Sequence, residues 1–357
     1  MRPEYVQEAH ETGTNVCRPL YRALGERGLV ERAVHALGAG DPIECWILLS
    51  ELDYAATPHD ALGMAISAAA VIERAGTDEQ KALMLPGLLA GESLVCFGLT
   101  EPDVGSDLAG IATRARLEGD EWVIDGAKMW TTMAHVADWV MLLARSDPSA
   151  PPYQGFTFFV FPTSVPGFSF DPIWTMSTER SNATYFDGVR IGREYVLGAE
   201  QQGWRTLSIM LGFERGMGNT GFGVPVLRRA VDWAEASGAI DEPLVRDALA
   251  RLAVDNEVAK LLTQRTVSLA QEGGNAQAIA GSLAKIFSTE NYQKSASELQ
   301  ALAAPTSLLG FGAAGAAGGG YLDYDARHSV PQTLQGGTSE INRNNIAERG
   351  LGLPRAR

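Results

Sequence analysis

The sequence predicts an α+β multidomain protein, with an N-terminal helical domain over 1–95, a middle antiparallel β domain over 96–205 and a C-terminal four-helix bundle over 206–357. Two changes of texture carry this reading. Apolar residues recur at helical spacing in the first and last stretches, whereas the middle stretch consists of β-branched and aromatic runs bounded by turn residues. The order of elements is helical, then β, then helical, with no internal repeat and no alternation of strand and helix.

In the first stretch Ile47, Leu48 and Leu52, and then Met64, Ile66, Ala70 and Ile72, fall on shared helix faces, and Gly38, Gly40 and Pro42 separate them from an earlier run. A helix through Leu83 and Met84 is expected to stop near Leu85-Pro86-Gly87, because proline and glycine continue a helix poorly. In the middle stretch Arg114–Leu117, the turn Glu118-Gly119-Asp120 and Trp122–Ile124 read as a hairpin, with further strands at Trp139–Leu143 and Phe156–Phe161. After Gly203 three stripes mark long helices: Val226, Leu227, Ala230, Val231 and Ala234; Val245, Leu249, Leu252, Ala259, Leu262 and Leu269; and Ile279, Leu283, Ile286 and Phe287. A short helix near 339–349 completes the expected bundle.

The 357 residues suffice for two or three cores, and 45% hydrophobic with 20% charged side chains is an ordinary globular composition. A formal charge of −14, from 43 acidic against 29 basic residues, argues against general nucleic-acid binding. It leaves room for a small anion held by backbone N–H groups. Cys17, Cys45 and Cys96 are odd in number and widely spaced, so neither a disulfide framework nor a metal site is expected. The opening Met1-Arg2-Pro3-Glu4-Tyr5 does not read as a signal peptide, and no apolar run approaches the roughly 20 residues of a spanning helix; a cytoplasmic protein without membrane contact is the expectation.

Three segments carry chemistry. Cys96 to Asp107 (CFGLTEPDVGSD) is a tight loop able to aim N–H and hydroxyl groups at a polar ring or a phosphate, although alone it is an ordinary polar turn. Gly126 to Thr132 (GAKMWTT) reads as a glycine-started strand ending in an aromatic and two hydroxyls; Trp130 could stack on a cofactor, and taken singly is better read as core. Gln335 to Arg343 (QGGTSEINR) places two glycines before Thr338, a good N-cap, at a helix start suited to anions.

Together these segments resemble the acyl-CoA dehydrogenase family, whose members carry a TEP-x-x-GSD loop, a K-x-W-x-T strand and a GTSEI-x-R helix start in this order. Gly76-Thr77-Asp78-Glu79-Gln80-Lys81, Leu85-Pro86 with Gly91-Glu92, and Phe186-Asp187-Gly188-Val189 extend the likeness over about residues 75 to 355. The resemblance implies FAD as cofactor, an acyl-CoA substrate, electron-transfer flavoprotein or an equivalent acceptor as partner, and a dimer or tetramer with FAD at a subunit boundary. By motif position Phe97, Leu99, Thr100, Gly105 and Ser106 border the flavin or thioester, with Ser106 also facing substrate. Trp130 and Thr132 lie along the isoalloxazine ring, Thr132 toward its N5 side, and Thr338 and Glu340 meet the rest of the FAD.

Many family members keep the catalytic base as the Glu of Y-E-G-T, and here that position is Gly336. Others carry it in an E-R pair on an earlier helix, which matches Phe213-Glu214-Arg215-Gly216, so the resemblance assigns the base to Glu214 and substrate contact to Arg215. Removing an α-proton needs a carboxylate in a dry pocket and a donor to the thioester oxygen. The resemblance gives the donor role to the Gly336 N–H.

Gly310-Phe311-Gly312-Ala313-Ala314-Gly315 matches a dinucleotide fingerprint in letters, but it follows a helical region and lies in an Ala/Gly-rich stretch, which reads as a loop. Trp233-Ala234-Glu235-Ala236-Ser237-Gly238 stands where much of the family has R-x-x-F-G, and the N-terminal domain is short for the family. With Trp130 to His135 this resembles bacterial members acting on bulky acyl groups such as steroid side chains; His135 itself reads as structural. Three functions stay open: a dehydrogenase, an oxidase or monooxygenase on the same fold, and a partner subunit of a heteromer.

Overall fold

The computed structural model describes residues 3–151, 153–217, 223–270 and 274–355, with the side chains of 3–6 and 214–217 outside the description. Six helices come first: α1 (Pro3–Thr12), α2 (Arg18–Glu26), α3 (Leu29–Gly38), α4 (Pro42–Tyr54), α5 (Asp60–Ala75) and α6 (Asp78–Leu89). α5 is their centre, with ten consecutive or near-consecutive residues from Ala61 to Ile72 buried, so it is apolar all round rather than along one stripe. On α4 the buried residues are Pro42, Cys45, Leu49 and Leu52, and Ile47 is half exposed.

α6 begins with a reciprocal cap, Gln80 N donating to Thr77 Oγ1 (3.2 Å) and Thr77 N to Gln80 Oε1 (3.0 Å). It does not end at Pro86 but runs through it to Leu89. Proline there deprives only the Ala82 carbonyl of a partner, and Ala82 is exposed to water, while Met84 and Leu88 hold the helix against the core.

Among the described residues the strands are β1 (Val95–Gly98), β2 (Arg114–Glu118), β3 (Glu121–Lys128), β4 (Trp139–Arg145), β5 (Phe156–Pro162), β6 (Phe168–Trp174) and β7 (Arg180–Gly192). They form one sheet in the order β1-β4-β2-β3-β7-β6, with β5 on β4. Most pairings are antiparallel, and β1 and β2 are both parallel to β4 along the edge opposite β5. Residues 99–113 are therefore looped out of what is almost one continuous strand line. The hairpin turn holds Gly119 at φ +65°, a conformation that suits glycine. Gly126 does not start a strand: it sits at a bulge inside β3, which ends at Lys128, so Trp130 to Thr132 lie beyond the sheet.

The remaining helices are α7 (Gly203–Met217), α8 (Gly223–Ser237), α9 (Pro243–Ser268), α10 (Gly274–Leu302), α11 (Tyr321–Gln332) and α12 (Ser339–Asn345), the last continuing in a π-turn over Ile346–Gly350. α11 escapes the apolar pattern because its buried face includes Asp325, His328, Ser329 and Gln332. The expected stripe on α10 is also displaced. Over 279–289 its buried residues are small or polar (Ala280, Gly281, Ser282, Ala284, Lys285, Ser288 and Thr289), while Leu283 is exposed and Ile279, Ile286 and Phe287 are half-buried.

Three cores result. One joins α2–α6 to one face of the sheet and to Leu207, Met210 and Phe213 of α7; a second fills the other face from Trp122, Ile124, Phe159, Phe161 and Phe186; a third lies among α8, α9, α10 and α11. Among the described residues no helix is long and apolar enough to cross a membrane, the three cysteines are free and buried, and no metal-binding cluster occurs.

Candidate active site

β1 delivers the chain to the looped-out segment, whose tip closes as a tight turn: Glu101 N donates to Val104 O (2.9 Å) and Val104 N to Glu101 O (3.1 Å). Phe97, Leu99 and Thr100 are half-buried, and Gly105 and Ser106 are exposed. Open space surrounds Gly105 where a Cβ would stand. The loop is fixed from below. Lys128 Nζ, fully buried at the end of β3, donates to Leu99 O (2.9 Å) and Glu101 Oε1 (3.0 Å). The Glu101 carboxylate also accepts from Ala112 N (2.6 Å) and Thr113 N (2.8 Å), and Met129 N donates to Thr100 O (2.8 Å).

Burial opposes ionisation of Glu101, but the Lys128 charge and the two backbone donors outweigh it and hold the carboxyl below its ordinary value. Burial also pushes the Lys128 ammonium down to about 8, against the pull of Glu101, so both groups carry charge at neutral pH. The first two motifs are thus one rigid unit.

Directly after this anchor the backbone turns sharply, with Trp130 at φ +60° and Met133 at φ +67°. Positive φ in a bulky residue is strained, and such strain gathers where a side chain must be aimed. The Trp130 ring is 53% exposed, so it is not core. Thr131 is buried: its N–H donates to Asn182 O (2.9 Å) and its hydroxyl lies 3.0 Å from that of Thr184. Asn182 Nδ2 returns a bond to Thr131 O (3.1 Å), and Thr132 Oγ1 lies 3.5 Å from Ser181 Oγ. β7 therefore holds the turn that presents Trp130 and Thr132.

His135 Nδ1 faces Asn182 Nδ2 (3.2 Å), a donor, and Nε2 faces Thr14 Oγ1 (2.8 Å). That network assigns a neutral ring with its proton on Nε2. Burial, with Arg180 adding to it, pushes its pKa down to about 4. A structural role suits it.

The third motif follows α11. Gly336 and Gly337 take φ +65° and +89°, and Thr338 caps α12 by accepting from Ile341 N (3.2 Å). Asn342 Nδ2 braces the turn from Gly337 O (2.9 Å) and Thr338 O (3.0 Å). Gly336 and Glu340 are exposed, and the backbone N–H at the helix start, with Thr338, holds the Glu340 carboxyl below its usual range. Ser339 Oγ is buried and finds no hydrogen-bond partner among the described residues. Glu214 and Arg215 lie on α7, and their side chains fall outside the described residues.

An aimed, half-exposed indole, hydroxyls beside it, an open glycine loop and a helix start with an unused hydroxyl make a set of groups that suits a flat polar ring with a phosphate-bearing tail. α11, which leads into the third motif, docks on the turn between β6 and β7, where Arg327 Nη1 donates to Met176 O (2.7 Å) and His328 Nε2 lies 3.1 Å from Glu179 Oε1. The motifs named Lys128 and Glu101 without showing that they pair; a lone lysine closing an apolar strand, opposite a glutamate in the loop, was the available signal. Glu179 and His328 left none, being far apart in the chain and outside every motif.

Sequence profiles for the N-terminal, middle and C-terminal domains of acyl-CoA dehydrogenase match residues 2–92, 96–189 and 201–351. Acyl-CoA dehydrogenase FadE29 of Mycobacterium tuberculosis is 31% identical over 95% of this chain and 89% of its own length. Among solved structures, the Tcur3481-Tcur3483 steroid ACAD is 30% identical with a TM-score of 0.89, covering 98% of this chain and 93% of that one. The ChsE4-ChsE5 complex from M. tuberculosis, also 30% identical with a TM-score of 0.89, covers 100% of this chain and 94% of its counterpart. With three domains matched in the order in which the fold presents them, the chain belongs to the acyl-CoA dehydrogenase family of oxidoreductases.

Proposed function

We propose that the chain carries out FAD-dependent α,β-dehydrogenation of an acyl-CoA thioester. The observation that carries this is the buried Lys128–Glu101 tie, which locks the Thr100–Ser106 loop to the turn presenting Trp130 and Thr132. Phe97, Leu99, Thr100, Gly105, Ser106, Trp130 and Thr132 would hold the ring region of FAD, and Thr338 and Glu340 the remainder. When bound, FAD supplies the acceptor for the hydride leaving Cβ. Glu214 takes the proton from Cα, the Gly336 N–H donates to the thioester oxygen as charge builds on it, and Ser106 and Arg215 contact substrate.

The steroid ACAD among the similar structures supports a bulky acyl group. A second reading, in which the chain completes its site with a different chain, is favoured by the segment Trp233–Gly238, which lacks the family's Arg and Phe, and by the two-chain complex among the similar structures. An electron-transfer flavoprotein is the proposed electron acceptor.

Anaerobic titration with a panel of acyl-CoAs tests the reading. The purified protein should be yellow, and one class of acyl-CoA should bleach it. A protein that stays colourless with added FAD supports the partner-subunit role, and rapid peroxide release in air would identify an oxidase.

A further inference from the structure

The turn after β3 holds Trp130 at φ +60° and Met133 at φ +67°, and strained backbone of this kind persists only where its surroundings over-determine it. Asn182, fully buried on β7, grips that turn twice: its carbonyl accepts from Thr131 N (2.9 Å), and its side-chain Nδ2 donates to Thr131 O (3.1 Å). The amide is itself oriented from two sides. Arg180 Nε donates to Asn182 Oδ1 (3.3 Å), and the second hydrogen of Nδ2 goes to His135 Nδ1 (3.2 Å).

His135 can accept there only with a bare Nδ1, so its ring proton sits on Nε2 and needs an acceptor of its own. Thr14, in the segment between α1 and α2, supplies it: His135 Nε2–H donates to Thr14 Oγ1 (2.8 Å), and the Thr14 hydroxyl donates onward to Thr12 O (3.3 Å). Donors and acceptors then alternate without conflict from Thr131 to Thr12. The threonine fixes the tautomer that orients the asparagine.

Thr14 is well anchored for this task. Beside it, Gly13 O accepts from Arg180 N (2.8 Å), and Gly13 stands at φ +63°, where a Cβ would come within 2.6 Å of Thr178 O. Upstream on α1 the His10 ring stacks on Phe311, with centroids 4.1 Å apart and planes 19° apart, and meets the Tyr324 ring of α11 edge-on at 4.6 Å. The segment is thus held against both the sheet and the bundle, independently of the turn it serves.

We propose that Thr14 is a positioning residue: acting through His135 and Asn182, it sets the turn that aims Trp130 and Thr132, and with it the affinity of the site for a flavin ring. The last clause rests on the FAD reading, whereas the tether itself does not. Valine at position 14 keeps the shape of threonine but strands the His135 Nε2–H against a methyl group. Moving the ring proton to Nδ1 then sets two N–H groups face to face at Asn182.

Hydrogen exchange of the purified protein, read by mass spectrometry on peptides covering 129–137 and 139–145, tests the tether without turnover. In Thr14→Val the turn peptide should exchange about tenfold faster than in the parent while the β4 peptide keeps its rate, and Thr14→Ser should restore the parent's rate. FAD titrated into protein stripped of any bound flavin, and followed by its fluorescence, should bind Thr14→Val about tenfold more weakly and Thr14→Ser like the parent. Equal exchange of the turn in Thr14→Val and the parent, or faster exchange of both peptides alike, overturns the proposal. So does a faster turn with unchanged FAD affinity. A parent protein that takes up no FAD sinks the cofactor reading instead, and the exchange rates still decide the tether.

Discussion

Lys128 Nζ lies 3.0 Å from Glu101 Oε1, with the lysine side chain fully buried and the glutamate 7% exposed. Neither charge can turn to water if the other is lost. Lys128→Met is therefore expected to destabilise the protein by about 3–5 kcal/mol, the usual cost of stranding one partner of a buried pair. Urea unfolding measures it, and Lys128→Met combined with Glu101→Gln should lose less than the sum of the two singles. Additive losses would show that the two side chains act independently.

The strain at Trp130 has its own signature. Alanine there keeps φ +60° with a Cβ, whereas glycine accepts that angle freely, so Trp130→Gly should be more stable than Trp130→Ala by about 1 kcal/mol. Both should bind FAD more weakly than the parent, read by fluorescence quenching of added FAD. Equal stability of the two variants would mean that the turn relaxes once the indole is gone.

His135 gives a pH dependence whose sign follows from its lowered pKa. The folded protein binds a proton at His135 less readily than the unfolded chain, so stability falls as pH drops from about 6.5 toward about 4, and this contribution is absent above that window. His135→Gln should flatten that part of the stability profile. An unchanged slope would place the titrating group elsewhere.

Glu214→Gln should leave a yellow, substrate-binding protein in which flavin reduction is slower by roughly 10²-fold or more, the scale of a general base. Stopped-flow absorbance under anaerobic conditions gives the rate. Unimpaired reduction would assign the proton to another group.

The alternation of β-branched runs and turn residues made the hairpin at Gly119 and the strands at Trp139 and Phe156 legible, because a half-buried strand writes its period into the sequence. α11 was not legible, since a helix that buries Asp325, His328 and Gln332 through hydrogen bonds carries no apolar stripe. α10 misled for the related reason that hydroxyls and alanines face inward while Leu283 faces out. Pro86 did not end its helix, because Ala82, whose carbonyl it leaves unpaired, lies exposed to water while Met84 and Leu88 hold α6 in the core. In the candidate site the motifs contained Glu101 and Lys128, but their pairing and the Glu179–His328 contact depend on tertiary placement that no local pattern encodes.

β1 and β2 share one edge of β4, and the chain leaves and rejoins that line around residues 99–113. β2 pairs locally with β3, but the line is joined only where Val95 meets Trp139 and Arg114 meets Arg145 on β4, contacts of long sequence separation. Such contacts incur their loop-closure entropy before they are rewarded. The arm carrying Thr100 to Ser106 thus owes its position to the assembled sheet and the buried Lys128–Glu101 tie, not to its own local sequence.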